Sequence, residues 1–172
     1  VITALAFWAY RECEIDLAIL EVGLGGRFDS TNACSPEVSV ITNIGTDHQE
    51  FLGIDKSDIA KEKLGITRKN RTLITSEKDP KILELFKEHI RSLNGKLICR
   101  NLNDGYQLLE SRHNGHILTL PFSDESIFFK LPGSHQLENL SLSLELVEQL
   151  KINGFEIPNE AIKKGIENTE WT

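Results

Sequence analysis

Apolar positions fall into two kinds of run along this chain. Residues 15–22 (IDLAILEV) form a near-continuous apolar stretch closed by Gly23, and residues 38–44 form a β-branched stretch closed by Gly45. Runs without alternation suit strands covered on both faces of a parallel sheet. Residues 72–75 and 96–99 are shorter segments of the same character. Elsewhere the period lengthens. After Asp79-Pro80, an N-cap followed by a first-turn proline, Ile82, Leu83, Phe86, Ile90 and Leu93 recur at helical spacing as far as Gly95. Ser57 is placed to cap a helix running through Leu64 and stopped by Gly65. Residues 1–11 read as the tail of a buried helix.

From 106 to 131 the pattern changes. Three short segments (106–110, 116–120 and 127–131) are broken by Asn114-Gly115 and Pro121, and Asn-Gly between strand-like runs marks a hairpin. Pro132-Gly133-Ser134 opens a helix with Leu137, Leu140, Leu144 and Val147 on one face, and a last helix follows Pro158. The fold class is therefore α/β: a mainly parallel sheet flanked by helices, with a small antiparallel β insert at 106–131. Ligands of such sheets bind beyond the carboxyl ends of the strands, which directs attention to residues 21–32 and 45–50.

Composition narrows the class. The 172 residues amount to one domain, and 40% hydrophobic with 26% charged residues is ordinary globular chemistry. A net charge of −7 argues against a nucleic-acid or anionic-membrane surface, and Arg68-Lys69-Asn70-Arg71, the densest basic cluster, reads as a solvated loop. Cys13, Cys34 and Cys99 are odd in number and lack CxxC pairing, so they read as reduced thiols, neither a disulfide framework nor a zinc site. Residues 1–10 are too short to span a bilayer and lack a basic flank or a cleavage site, which makes the cytoplasm the expected location. The chain contains no Met and begins inside an apolar stretch, so it is expected to be an internal piece of a longer protein.

Five local features carry candidate chemistry. The glycines after residue 22 fail as a dinucleotide fingerprint, because Phe28 stands where the third glycine belongs and no helix precedes the next strand; no GxxxxGKS/T loop occurs either. They suit a sharp turn or a close backbone approach to a ligand. Glu21 ends the first apolar run, where a carboxylate is costly unless it is paired, hydrogen-bonded or bound to a metal; a glutamate facing water or an arginine fits equally. His48 takes the equivalent place after the second run, and Lys63 lies on a helix where a solvated charge is the ordinary case. Gln136 and Asn139, three apart, share one helical face.

Together, the strings EVGLGGRFDSTN, VITNIGTDHQEFLG, IAKEKLGI and LPGSHQLENLSLSLELVEQL resemble the central ATPase domain of the folylpolyglutamate synthase/dihydrofolate synthase family, part of the Mur-ligase-like amide-forming enzymes. The likeness runs over nearly the whole chain in the same order. It implies an enzyme that uses ATP and Mg²⁺ to phosphorylate the carboxylate of dihydropteroate or a folylpolyglutamate, after which the amine of L-glutamate displaces phosphate. On the same ground Glu21 and His48 would hold Mg²⁺ ions, two in all, and Lys63 would be carbamylated, replacing a repelling ammonium with an anionic oxygen ligand. Gln136 and Asn139 would lie at the adenine edge. Phe28, Asp29 and Ser30 would line the loop near the pterin-bearing substrate, where Ser30 replaces a common Ala; Leu64 replaces another beside the lysine. The resemblance further implies a phosphate loop before Val1 and an arginine turn with an amino-acid-binding domain after Thr172, so the chain alone is expected to be inactive. It also implies a monomer with small-molecule partners only. The alternatives are another Mur-type amino-acid ligase, disfavoured by EVGLGGRxD and by HQ in place of HN, and a non-catalytic nucleotide-binding module.

Overall fold

Two three-stranded sheets, one parallel and one antiparallel, organise the computed structural model, which describes residues 1–45 and 55–171. The parallel sheet has the order β1-β2-β3, with β1 at Val38–Ile41, β2 at Thr72–Thr75 and β3 at Lys96–Cys99. Val38 stands beside Thr72, and Thr72 beside Lys96. The first crossover holds helix α2 (Lys56–Leu64), and the second is helix α3 (Pro80–Ser92). The Asp79 carboxylate accepts the amide of Lys81 at 2.9 Å, and Pro80 sits where no helical donor is needed. For α2 the cap is Asp55, whose side chain accepts from the Ser57 amide, so Ser57 falls in the first turn and does not cap it.

Ile82, Phe86 and Ile90 project from α3 onto Ile41, Ile59, Ala60, Leu64 and Leu73, which together form the first apolar core. Glu77 is buried at the carboxyl end of the sheet and is satisfied there. Its carboxylate accepts the amides of Ile44 (2.7 Å), Lys78 (2.7 Å) and Asp79 (2.8 Å), as a buried charge requires.

The second core lies under the antiparallel sheet, formed by β4 (Gln107–Arg112), β5 (Gly115–Leu120) and β6 (Ser123–Phe129). Arg112 pairs with Gly115, so His113-Asn114 make the two-residue turn and Gly115 opens β5 at φ 148°. A Cβ on Gly115 would stand 2.3 Å from the carbonyl oxygen of Phe129 on the adjacent strand. Leu118, Leu120, Ile127 and Phe129 pack against helix α4 (Ser134–Ile152) and helix α5 (Asn159–Asn168).

Helix α4 joins the two halves. It touches β1 and β2 of the parallel sheet while its leucines fill the second core. Glu145 is buried and pairs with Arg100 at the end of β3, and it also accepts Gln149 Nε2 at 2.6 Å. The Tyr106 hydroxyl donates to the Leu137 carbonyl at 3.2 Å and accepts the Asn103 amide at 3.1 Å.

Two further expectations fail. Helix α1 forms at Ile2–Glu12 as the apolar pattern predicts, but none of its residues is buried; Ile2, Leu5 and Trp8 face outward because no described layer covers them. Residues 15–22 belong to neither sheet, and Ile19 is 83% exposed. A parallel strand obtains its backbone hydrogen bonds only from neighbours distant in sequence, and among the described residues β1 pairs with β2 alone. The apolar run thus does not become a strand.

Candidate active site

The glycine-rich loop after residue 22 turns on Gly25 (φ 69°) and Gly26 (φ 150°), backbone conformations that side chains disfavour. Asp29 closes the loop. Its Oδ2 accepts the amides of Gly23 (3.1 Å) and Leu24 (3.3 Å); its Oδ1 accepts the Thr31 amide (2.8 Å) and the Thr31 hydroxyl (2.6 Å). The Thr31 hydroxyl above all, with these amides, holds the Asp29 carboxyl below the usual 3.8. Asp29 also caps the 3₁₀ turn Ser30–Ala33.

This loop rests on the last turn of α2. The Arg27 amide donates to the Glu62 carbonyl at 2.9 Å. Gly26 approaches so closely that a Cβ there would lie 2.9 Å from that same oxygen and 3.2 Å from the Cα of Lys63. A cavity of about 530 Å³ opens between Leu24, the glycines, the turn of Phe28, Asp29 and Ser30, and Glu62. Phe28 is 84% exposed at its rim, with the Arg27 guanidinium 5.1 Å from the ring centre.

The predicted site residues are distributed as follows. Phe28, Asp29 and Ser30 share the cavity, and half-buried Lys63 sits in the helical turn against the loop. Glu21 is exposed on the unpaired segment two residues before Gly23. His48 lies outside the described residues. Among the described residues, no three His, Cys, Asp or Glu side chains gather as a metal centre.

Gln136 and Asn139 are joined through Asn139 Nδ2 donating to Gln136 Oε1 at 3.1 Å. They border a separate cavity of about 390 Å³ between α4, α5 and β6, floored by Leu140, Leu144, Ile162 and Ile166. An apolar cavity edged by amides that both donate and accept suits a planar, polar-edged ligand.

Sequence reasoning missed two residues. Glu62 lines the first cavity, and nothing in its helical position distinguishes it from a solvated charge. Arg68, read above as part of a solvated loop, is half-buried and hydrogen-bonded to backbone carbonyls; its wide sequence separation from those partners hid this.

A parallel sheet with crossover helices, a glycine loop docked beside a lysine, and an amide-edged cavity on a later helix define an α/β domain with two candidate ligand cavities. Residues 3–147 match the Mur ligase middle domain, and the chain belongs to that family. Its relatives include the dihydrofolate synthase/folylpolyglutamate synthase of Bacillus subtilis, 33% identical over 99% of this chain and 41% of the relative. The Mycobacterium tuberculosis protein of the same name is 34% identical over 86% of this chain and 32% of its own length. Among solved structures, the L. casei FPGS complex with AMPPCP and folate superposes with a TM-score of 0.83 at 25% identity, covering 99% of this chain and 42% of that one. The chain thus spans about two fifths of the length of the Bacillus subtilis relative.

Proposed function

We propose that this chain is the central portion of an ATP-dependent ligase that adds L-glutamate to dihydropteroate, to folylpolyglutamates, or to both. The observation that carries the proposal is the docking of the glycine loop on the α2 turn that bears Lys63, with a cavity opening beside it. In this reading the substrate carboxylate takes the γ-phosphoryl group of ATP, and the α-amine of glutamate attacks the acyl phosphate and releases phosphate.

The donor set fits Mg²⁺ in kind. Glu21 offers hard carboxylate oxygens, and Lys63 fits once its neutral amine has added to CO₂ with loss of a proton, giving an anionic oxygen ligand. Glu21, His48 and carbamylated Lys63 would hold the ions, which when bound offset charge on the β- and γ-phosphates. Phe28 supplies an aromatic face for a pterin ring at the cavity rim, and Asp29 keeps that rim in shape. Gln136 and Asn139 meet the adenine edge. The protein works as a monomer in the cytoplasm on small molecules, without nucleic acid or membrane. Among the described residues, no helix is long and apolar enough to cross a bilayer.

The test uses the full-length protein that contains this chain, assayed with dihydropteroate and a reduced folate as competing acceptors. Lys63→Ala abolishes glutamate addition, with partial rescue by short-chain carboxylic acids. Near-full activity in Lys63→Ala removes the carbamate role, and activity toward neither acceptor removes the folate reading in favour of another amino-acid ligase.

A further inference from the structure

Arg68 distributes one guanidinium over five oxygens from two segments. Its Nη2 donates to the carbonyls of Asn32 (2.8 Å) and Cys34 (2.9 Å) and to Asn32 Oδ1 (2.7 Å). Its Nη1 donates to the carbonyls of Gly65 (3.1 Å) and Thr67 (3.0 Å). The first group follows the turn of Phe28, Asp29 and Ser30; the second follows Lys63 at the exit of α2. Asn32 completes the junction, its Nδ2 donating to the carbonyls of Arg27 (2.9 Å) and Gly65 (3.1 Å).

The charge is matched to this place. Arg68 forms none of the carboxylate ion pairs found among the described residues; carbonyl dipoles at the carboxyl end of α2 face it, and that end of a helix favours a cation. Arginine stays charged at any working pH and presents its donors in a planar fork. A lysine is a point donor with three hydrogens and cannot span both segments in the same way. With the Arg27 amide already on the Glu62 carbonyl, the segment that follows the glycines is tied at two places to one helical turn and its exit.

We infer that Arg68 is a positioning residue of the candidate active site, holding the 21–30 loop in register with the turn that carries Lys63. It rests on the reading of Glu21 and Lys63 as metal-holding residues. Neither residue touches Arg68 in the contacts above, so its effect on them passes through the backbone of the loop and of the helix exit.

The test compares Arg68→Ala and Arg68→Lys with the unaltered full-length protein. Arg68→Ala lowers kcat by about tenfold and raises the half-saturating Mg²⁺ concentration by about tenfold. Millimolar methylguanidinium restores part of both losses, and Arg68→Lys stays impaired. Independently of activity, the Arg27 amide exchanges its hydrogen for deuterium about tenfold faster in Arg68→Ala, because its bond to Glu62 opens more often.

A folded Arg68→Ala protein with kcat and Mg²⁺ requirement within about twofold of the original overturns the inference. A slower enzyme with unchanged exchange at Arg27 overturns it as well. Should Arg68→Ala fail to fold, Arg68→Lys and Asn32→Ala carry the same comparison with the same two readouts. Lys63→Ala, run in parallel, separates the two claims. Retained activity there defeats the metal reading, whereas unaltered loop exchange in the Arg68 variants defeats the positioning role.

Discussion

Gly65 and Arg27 approach so closely that a Cβ on Gly65 would stand 2.5 Å from the Cβ of Arg27 and 2.6 Å from its Cα. The φ of Gly65 is −58°, an ordinary helical value open to any residue, so contact alone demands glycine here. Gly65 ends the helix as the sequence predicts, and it does so in a right-handed conformation. Gly65→Ala should displace the loop from α2 and destabilise the protein by about 1–3 kcal/mol, the usual scale of overpacking. Thermal or denaturant unfolding measures it; an unchanged midpoint would mean that the loop does not pack there.

Two groups set separate acid limits. The Thr67 hydroxyl donates to the Leu64 carbonyl at 2.7 Å, which leaves its oxygen to accept from His89 Nε2 at 3.0 Å. Burial holds the His89 pKa below 6.5, so the unfolded chain takes up that proton first, and stability falls as the pH drops from about 6.5 toward the lower folded value. The Asp29 carboxyl, held below 3.8, contributes stability that is full above that value and lost only at more acid pH. Denaturant midpoints between pH 8 and pH 5 should decline in the original protein and flatten in His89→Gln. A profile unaltered by that substitution would remove His89 as the cause.

Replacing Glu145 by Gln leaves Arg100 without its counter-charge beside a buried Nε that already lacks a partner. The pair is partly open on the Arg100 side, which moderates the penalty, and a loss of about 2 kcal/mol is expected. Chemical denaturation checks the magnitude. A neutral or stabilised Glu145→Gln would show that the pair with Arg100 adds nothing to the hold of α4 on the parallel sheet.

The purified 172-residue chain should turn over essentially no ATP, because it contains no lysine-bearing phosphate loop of the GxxxxGKS/T type. A phosphate-release assay with Mg²⁺ decides it. Sustained release by the chain, abolished by Lys63→Ala, would place the phosphate-handling groups within these residues.

The parts of the fold legible in the sequence are those fixed by near neighbours. Asp79-Pro80 caps α3 through an amide two residues away, and the stripe through Ile82, Phe86 and Ile90 is one helical face. The antiparallel sheet was legible for the same reason, since its first hairpin closes over two residues. Residues 15–22 misled because a parallel strand needs a partner that no local pattern supplies. In the site, the glycines announced a sharp turn, but its seat on α2 depends on contacts such as Asn32 to Arg68, 36 positions apart. A guanidinium facing carbonyls leaves no charge pattern to read.

The outer edge of β1 has one further consequence. Among the described residues, Val38–Ile41 bonds to β2 on one side only, and the apolar run of residues 15–22 also lacks a strand partner. Unsatisfied backbone donors and acceptors beside exposed isoleucine and leucine are the combination that recruits strands from other molecules. A net charge of −7 opposes such pairing at low ionic strength and is screened as salt rises. Self-association of the chain should therefore grow with both protein and salt concentration, and a lysine or proline placed at Ile19, outside both cores, should suppress it without loosening either one.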